Sequence, residues 1–147
     1  MKLSLFSDYS LRVLMYAALK EGPFLLDDVT GAYGISRNHL AKVVNRLSQL
    51  GYLSTQRGRG GGIRLAQSPG EIRIGKLLRA TEEQAVFVEC FDPATNSCPL
   101  IGSCQLKGVL AQALHEFYRS LDRKTLEDLV TGPQRQAMGK VLFAPPE

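Results

Sequence analysis

Every cysteine of this 147-residue chain falls inside one stretch of fifteen residues: Cys90, Cys98 and Cys104, spaced C-x7-C-x5-C around Pro93, Pro99 and Gly102. Thiolates gathered in a proline- and glycine-broken segment are donors suited to an iron–sulfur cluster or to zinc, and both usually take four ligands. Three cysteines leave one position open. His115 lies eleven residues past Cys104, and a helix rising ~1.5 Å per residue carries it roughly 16 Å away, too far to complete the sphere. The other histidine, His39, belongs to a different part of the chain. The expected fourth donor is therefore a weak oxygen ligand or a group from a partner subunit. Three ordinary buried cysteines are the plainest alternative, and a disulfide switch would leave one thiol over. Cys104 should open the helix that follows, where the helix dipole favours an anionic ligand.

The elements around this segment divide into a head and an appendage. A first helix is expected from an N-cap near Ser7 to about Lys20, with Leu11, Leu14, Met15 and Ala18 at helical spacing and Gly22-Pro23 as its stop. A short helix over 27–33 turns at Gly34 into a third, capped by Ser36, whose stripe is Leu40, Val43, Val44, Leu47 and Leu50 and whose end is marked by Gly51. Two helices joined by a tight glycine-containing turn are a helix-turn-helix signature. Strands over 52–57 and 63–66, joined through Gly58-Arg59-Gly60-Gly61-Gly62, form the hairpin of a wing. An amphipathic segment over 74–81 closes the head. Beyond Cys104, Leu106, Val109, Leu110, Ala113, Leu114, Phe117, Tyr118 and Leu121 keep helical period for four turns. So long a stripe beside so small a head suggests a dimerisation helix; packing within its own chain is the alternative. The expected architecture is mainly α with a small β-wing. Residues 1–82 make a winged helix-turn-helix domain, 83–104 a cluster-binding loop, 105–131 a dimerisation helix with a short terminal helix, and 132–147 a flexible tail.

The net charge of +4 conceals an asymmetry. Residues 1–80 carry twelve Lys and Arg against five acids, a net of +7, whereas residues 81–147 carry six against nine, a net of −3. A basic head on an acidic appendage suits a polyanion-binding domain with a regulatory part. A helix in the major groove reads base edges with its N-terminal residues. Here these are Ser36, Arg37, Asn38 and His39, with Lys42 one turn on. Arginine suits guanine and asparagine suits adenine. Arg57, Arg59 and Arg64 flank a glycine run that lets backbone approach phosphate or enter a minor groove. The run lacks the Lys-Ser/Thr ending of a nucleotide-binding P-loop. No acid/base constellation of an enzyme is visible. The longest apolar run, Val13 to Leu19, is far short of the ~20 residues that span a bilayer. With no signal peptide pattern and an odd cysteine count, the expected compartment is the cytoplasm, where thiols stay reduced.

Taken together, these motifs resemble a known family over nearly the whole chain. Phe6-Ser7-Asp8-Tyr9, the stretch Tyr33-Gly34-Ile35-Ser36-Arg37-Asn38-His39-Leu40, the wing from Arg57 to Leu65, the three cysteines and Thr125-Leu126-Glu127-Asp128-Leu129-Val130 are similar to winged-helix repressors that sense through an iron–sulfur cluster, the group containing NsrR, IscR and RirA. The Ser-Arg-Asn-His start of the reading helix matches the nitric-oxide-sensitive members. That resemblance implies a homodimer on double-stranded operator DNA, with Cys90, Cys98 and Cys104 of one subunit and Asp8 of the partner subunit holding a cluster, [4Fe-4S] ahead of [2Fe-2S]. It also implies that cluster nitrosylation by nitric oxide releases the DNA. By itself Asp8 is an acid near a helix N-terminus, favoured there by the dipole. The x7–x5 cysteine spacing is more like the iron-responsive members, so an iron-responsive regulator stays as the alternative, beside a zinc-stabilised DNA-binding protein without a sensing role.

Overall fold

The computed structural model describes residues 2–82 and 86–144, so the first residues of the expected cysteine loop and the closing Pro145-Pro146-Glu147 lie outside the described residues. Among the described residues, seven α-helices and one hairpin follow in order: α1 Leu5–Leu19, α2 Leu26–Tyr33, α3 Arg37–Gln49, β1 Leu53–Gln56, β2 Gly62–Leu65, α4 Ile74–Thr81, α5 Gln105–Asp122, α6 Leu126–Leu129 and α7 Pro133–Leu142.

The helix-turn-helix forms as its residue pattern predicts. Gly34 adopts a left-handed φ of 64° at the end of α2, a conformation that costs a side-chain-bearing residue energy. Ser36 caps α3, its Oγ accepting from the His39 N–H. Leu40, Val43, Val44 and Leu47 are buried along one face of α3. The expected cap of α1 is displaced by one turn. Ser4 holds that place, its Oγ accepting from the Ser7 N–H at 3.1 Å. Ser7 is fully buried, and its hydroxyl hydrogen-bonds with that of Thr81 at 2.7 Å. The apolar stripe expected on α1 is also rotated: Val13, Leu14, Tyr16, Ala17 and Leu19 are buried. The reason is that α1 is central, packed against α3, α4, α6, α7 and β2, so it is covered on several sides.

The wing is an antiparallel pair in which Leu53 faces Leu65 and Gln56 faces Gly62. Phe24 adds a bridge to Ile63, with reciprocal bonds of 3.0 and 2.8 Å. This third strand edge anchors the hairpin to the core, where Phe24 and Ile63 are both buried. A Cβ at Gly61 would strike the carbonyls of Gln56 and Gly58, so the tight turn at the wing's tip admits only glycine there.

Two C-terminal segments depart from expectation. The short α6, expected to go with the dimerisation helix, belongs to the head. Leu126 is fully buried, its N–H bonds to the Ile72 carbonyl at 2.9 Å, and Thr125 bridges to Arg73. The stretch expected as a flexible tail contains α7, which sits on α1 and α2. Phe143 meets the edge of Tyr16 at 5.1 Å between centroids, and Leu142 packs against the core. Its polar, weakly patterned sequence hid it, because the few apolar side chains that dock it lie at its end.

Candidate functional site

Two sites can be built from these elements, one on the head and one on the cysteine segment. On the head, Ser36, Arg37, Asn38, His39 and Lys42 all lie exposed along the first turns of α3. The tip is partly pre-set. The Arg37 Nε donates to Asp27 Oδ1 of α2 at 2.8 Å. The His39 Nδ1 lies 2.9 Å from Ser36 Oγ, and its ring lies 6.1 Å from that of Tyr9 on α1. Sequence alone does not reveal these contacts of Asp27 and Tyr9, because their partners lie ten and thirty residues away and no periodicity links them.

The wing brings Arg57, Arg59 and Arg64 out to solvent, and none has an ion-pair partner among the described residues. Unpaired guanidinium groups beside bare glycine backbone suit phosphate and groove contacts. Arg59→Ala is expected to weaken binding to all duplex sequences alike and to reduce the slope of log affinity against log salt by about one. Filter-binding or anisotropy titrations over a salt series measure both.

The cysteine segment is built differently. From residue 86 to residue 124 none of the described residues is buried, so turns rather than a core hold its shape. Cys90 sits in a 3-10 turn, Glu89–Phe91. The Asp92 carboxylate accepts from the Ala94 N–H and the Thr95 hydroxyl, both at 2.9 Å. Glu89 accepts through one oxygen from both the N–H and the hydroxyl of Ser97, at 2.5 and 2.6 Å. These bonds hold the Glu89 carboxyl below the usual carboxylate range. They also join the neighbour of Cys90 to the neighbour of Cys98, a brace that spacing alone did not reveal. Cys104 is the N-cap residue of α5.

All three thiols are half-buried and none is in a disulfide. In kind this donor set fits a soft metal or an iron–sulfur cluster. It is not gathered into one sphere in the single chain: among the described residues no group of three or more His, Cys, Asp or Glu converges to hold a metal ion. His115 is exposed midway along α5, apart from the cysteines, as helix length requires. Asp8 stands in the first turn of α1, paired with Arg12 at 2.9 Å.

A rigid joint links the cysteine segment to the head. Arg79 of α4 grips both carboxylate oxygens of Asp122 at the end of α5, at 2.8 and 2.6 Å. Its guanidinium also lies 4.7 Å over the Tyr118 ring. The hydrogen bond from Arg79 holds the Asp122 carboxyl below its ordinary range. Gly75 lets the two helices touch, since a Cβ there would collide with Asp122. Just past the C-terminal end of α4, Ser4 gives both its N–H and its hydroxyl to Glu82, each at 2.8 Å, which pins the start of α1 to the root of the cysteine segment.

The family is decided by comparison with known proteins. The model of the Rrf2 family, described as an iron-dependent transcriptional regulator, matches residues 3–132. This chain belongs to the Rrf2 family. The Rrf2 chain is 48% identical to the HTH-type transcriptional regulator NsrR of Bacillus subtilis over 132 residues, 88% of this chain and 90% of that one. It is 47% identical to the protein of the same name from Halalkalibacterium halodurans, covering 89% and 91%. Among solved structures it resembles the oxidized form of Staphylococcus aureus CymR, with a TM-score of 0.70 and 25% identity over 90% of this chain and 98% of that one. T. potens IscR shares the fold at a TM-score of 0.71. The expected winged-helix fold is thereby borne out, and the Rrf2 chain is a DNA-binding transcriptional regulator and not an enzyme. No helix among the described residues is long and apolar enough to cross a membrane.

Proposed function

We propose that this Rrf2 protein is a homodimeric repressor that senses nitric oxide through an iron–sulfur cluster held on the Cys90–Cys104 segment. The observation that carries the proposal is the placement of all three uncrosslinked thiols on a coreless segment running directly into α5, whose far end is clamped to the head by Arg79 and Asp122. Whatever fixes or frees that segment acts on a lever already attached to the DNA-reading domain. The name of the 48% identical relative supports the same reading.

Cys90, Cys98 and Cys104 would hold the cluster, [4Fe-4S] ahead of [2Fe-2S], with the partner subunit's Asp8 as the fourth donor. When bound, the cluster would supply iron able to react with nitric oxide. The rest is work done by the protein. Leu106 and Val109 are 61% and 62% exposed on the free half of α5, so a second copy of α5 covers them in the dimer. Asp8 adjoins Tyr9, whose ring faces His39, so a grip on the first turn of α1 is felt at the tip of α3. Once that grip is lost, Asp8 is satisfied by Arg12 of its own helix. The two heads then lose their fixed separation, and only the head arrangement favoured by the intact cluster matches two half-sites about one helical turn apart.

A second reading, release of DNA when iron is scarce, draws on the family's description as iron-dependent. One experiment separates them. Nitric oxide is titrated into anaerobically purified protein while the visible spectrum and binding to a duplex selected from a randomised pool are followed together. Loss of the cluster absorbance in step with DNA release is expected. DNA release by iron chelation but not by nitric oxide selects the iron reading, and iron-free protein that binds its duplex tightly overturns both.

A further inference from the structure

We infer that Asp27 is a specificity-determining residue: through its ion pair it aims Arg37 at guanine in the operator. The inference rests on the reading that the tip of α3 contacts base edges. The first turn of α2 carries two acids with different employments. Asp28 serves its own helix, accepting from the Leu25 N–H at 2.7 Å. Asp27 serves the next one, reaching across the helix-turn-helix to the Arg37 Nε at 2.8 Å.

Which nitrogen is used matters. Guanine is recognised through O6 and N7 by the paired terminal nitrogens of an arginine. Asp27 accepts from Nε on the side edge of the guanidinium and leaves the end edge, Nη1 and Nη2, as a fork with no partner on Asp27. Arg37 stands at the first position of α3, where side chains meet base edges. An unrestrained arginine loses rotamer freedom on binding and is equally suited to a passing phosphate. A tethered one has less freedom to lose and presents its fork in one direction. Both side chains are about two-thirds exposed, so in the free protein the pair adds little to folding. Buried against DNA, the same pair is screened far less and holds its geometry more strongly.

The test uses full-length protein purified without oxygen and two probes: a duplex the wild-type protein selects from a randomised pool, and the unselected pool. The readout is the ratio of the two affinities. Removing the Asp27 charge changes electrostatics on both duplexes alike, so the ratio reports aiming. Asp27→Ala is expected to keep the wild-type melting temperature and to lower the ratio about tenfold, with the loss concentrated at guanine positions of the selected site. Arg37→Ala should lower the ratio at least as far. In the Arg37→Ala background, adding Asp27→Ala should change it by less than about twofold, because the effect runs through Arg37. An unchanged ratio for Asp27→Ala, or an equal fall in both backgrounds, overturns the inference while leaving base reading by α3 intact. An unchanged ratio for Arg37→Ala overturns that reading and the inference with it.

Discussion

Cys98→Ala protein, purified without oxygen, is expected to be colourless, to hold iron and acid-labile sulfide at background level, and to bind its selected duplex at least about tenfold more weakly than the cluster-loaded wild type. The expectation follows from the number of donors. The chain has only three thiols, and removing one leaves two soft donors where a cluster needs about four. The fold should not suffer. Cys98 is half-buried in a segment without core residues, its N–H directed to the Asn96 side chain at 3.3 Å and its carbonyl accepting from the Ile101 N–H at 3.3 Å, contacts that survive loss of the sulfur. The fair comparison for stability is wild-type protein stripped of metal, because a bound group stabilises whatever holds it. Against that reference the melting temperature should be unchanged. Full iron content and undiminished DNA binding in the variant would remove the cysteine segment from the sensing mechanism.

How much of this was legible beforehand depends on whether the signal was local. The reading helix α3 carries its own instructions: a serine cap at Ser36, a stripe from Leu40 to Leu47, and Gly51 at φ 77° just past its end. The wing was equally plain, because its glycines are demanded by a turn that no other residue can close. Ser4 and Ser7 show where local signals fail. Both are serines able to cap a helix, and only the tertiary contact from Ser7 to Thr81 assigns the cap to Ser4. The cysteines were visible as a set, but the Glu89–Ser97 brace between them was not, since a carboxylate and a serine eight residues apart form no recurring pattern. The stripe on α5 suggests a dimerisation helix or packing within its own chain, and its two halves differ. Tyr118 and Leu121 pack on their own head, whereas Leu106 and Val109 stay bare. Periodicity reports that a face is apolar; it does not report which chain covers it.

The sharpest consequence for the head's stability concerns α6, four residues long and far from the helix-turn-helix in sequence. Leu126→Ala is expected to destabilise the protein by about 2–5 kcal/mol, the usual cost of emptying a fully buried leucine site, which lowers the melting temperature by roughly 5–15 °C for a chain of this size. The side chain is fully buried, and α6 packs against α1 and the 3-10 turn at Pro69–Glu71. The backbone there is tied down as well, through the Leu126 N–H to Ile72, the Ile74 N–H to Lys124, and the box in which Thr125 and Asp128 cap each other's backbone. A rigid surround of this kind cannot collapse into the space, which puts the expected loss in the upper part of the range. Leu106→Ala supplies the contrast. At 61% exposure in the single chain it should change the stability of the head by less than about 0.5 kcal/mol, while weakening dimer association measured by sedimentation across a dilution series. If Leu126→Ala proved as mild as Leu106→Ala in dilute protein, α6 would be an appendage of α5 after all. If it melts the head as expected, α6 is the pin that returns the chain from α5 to the core of the winged-helix head, so that α5 is anchored to that head at both α4 and α6.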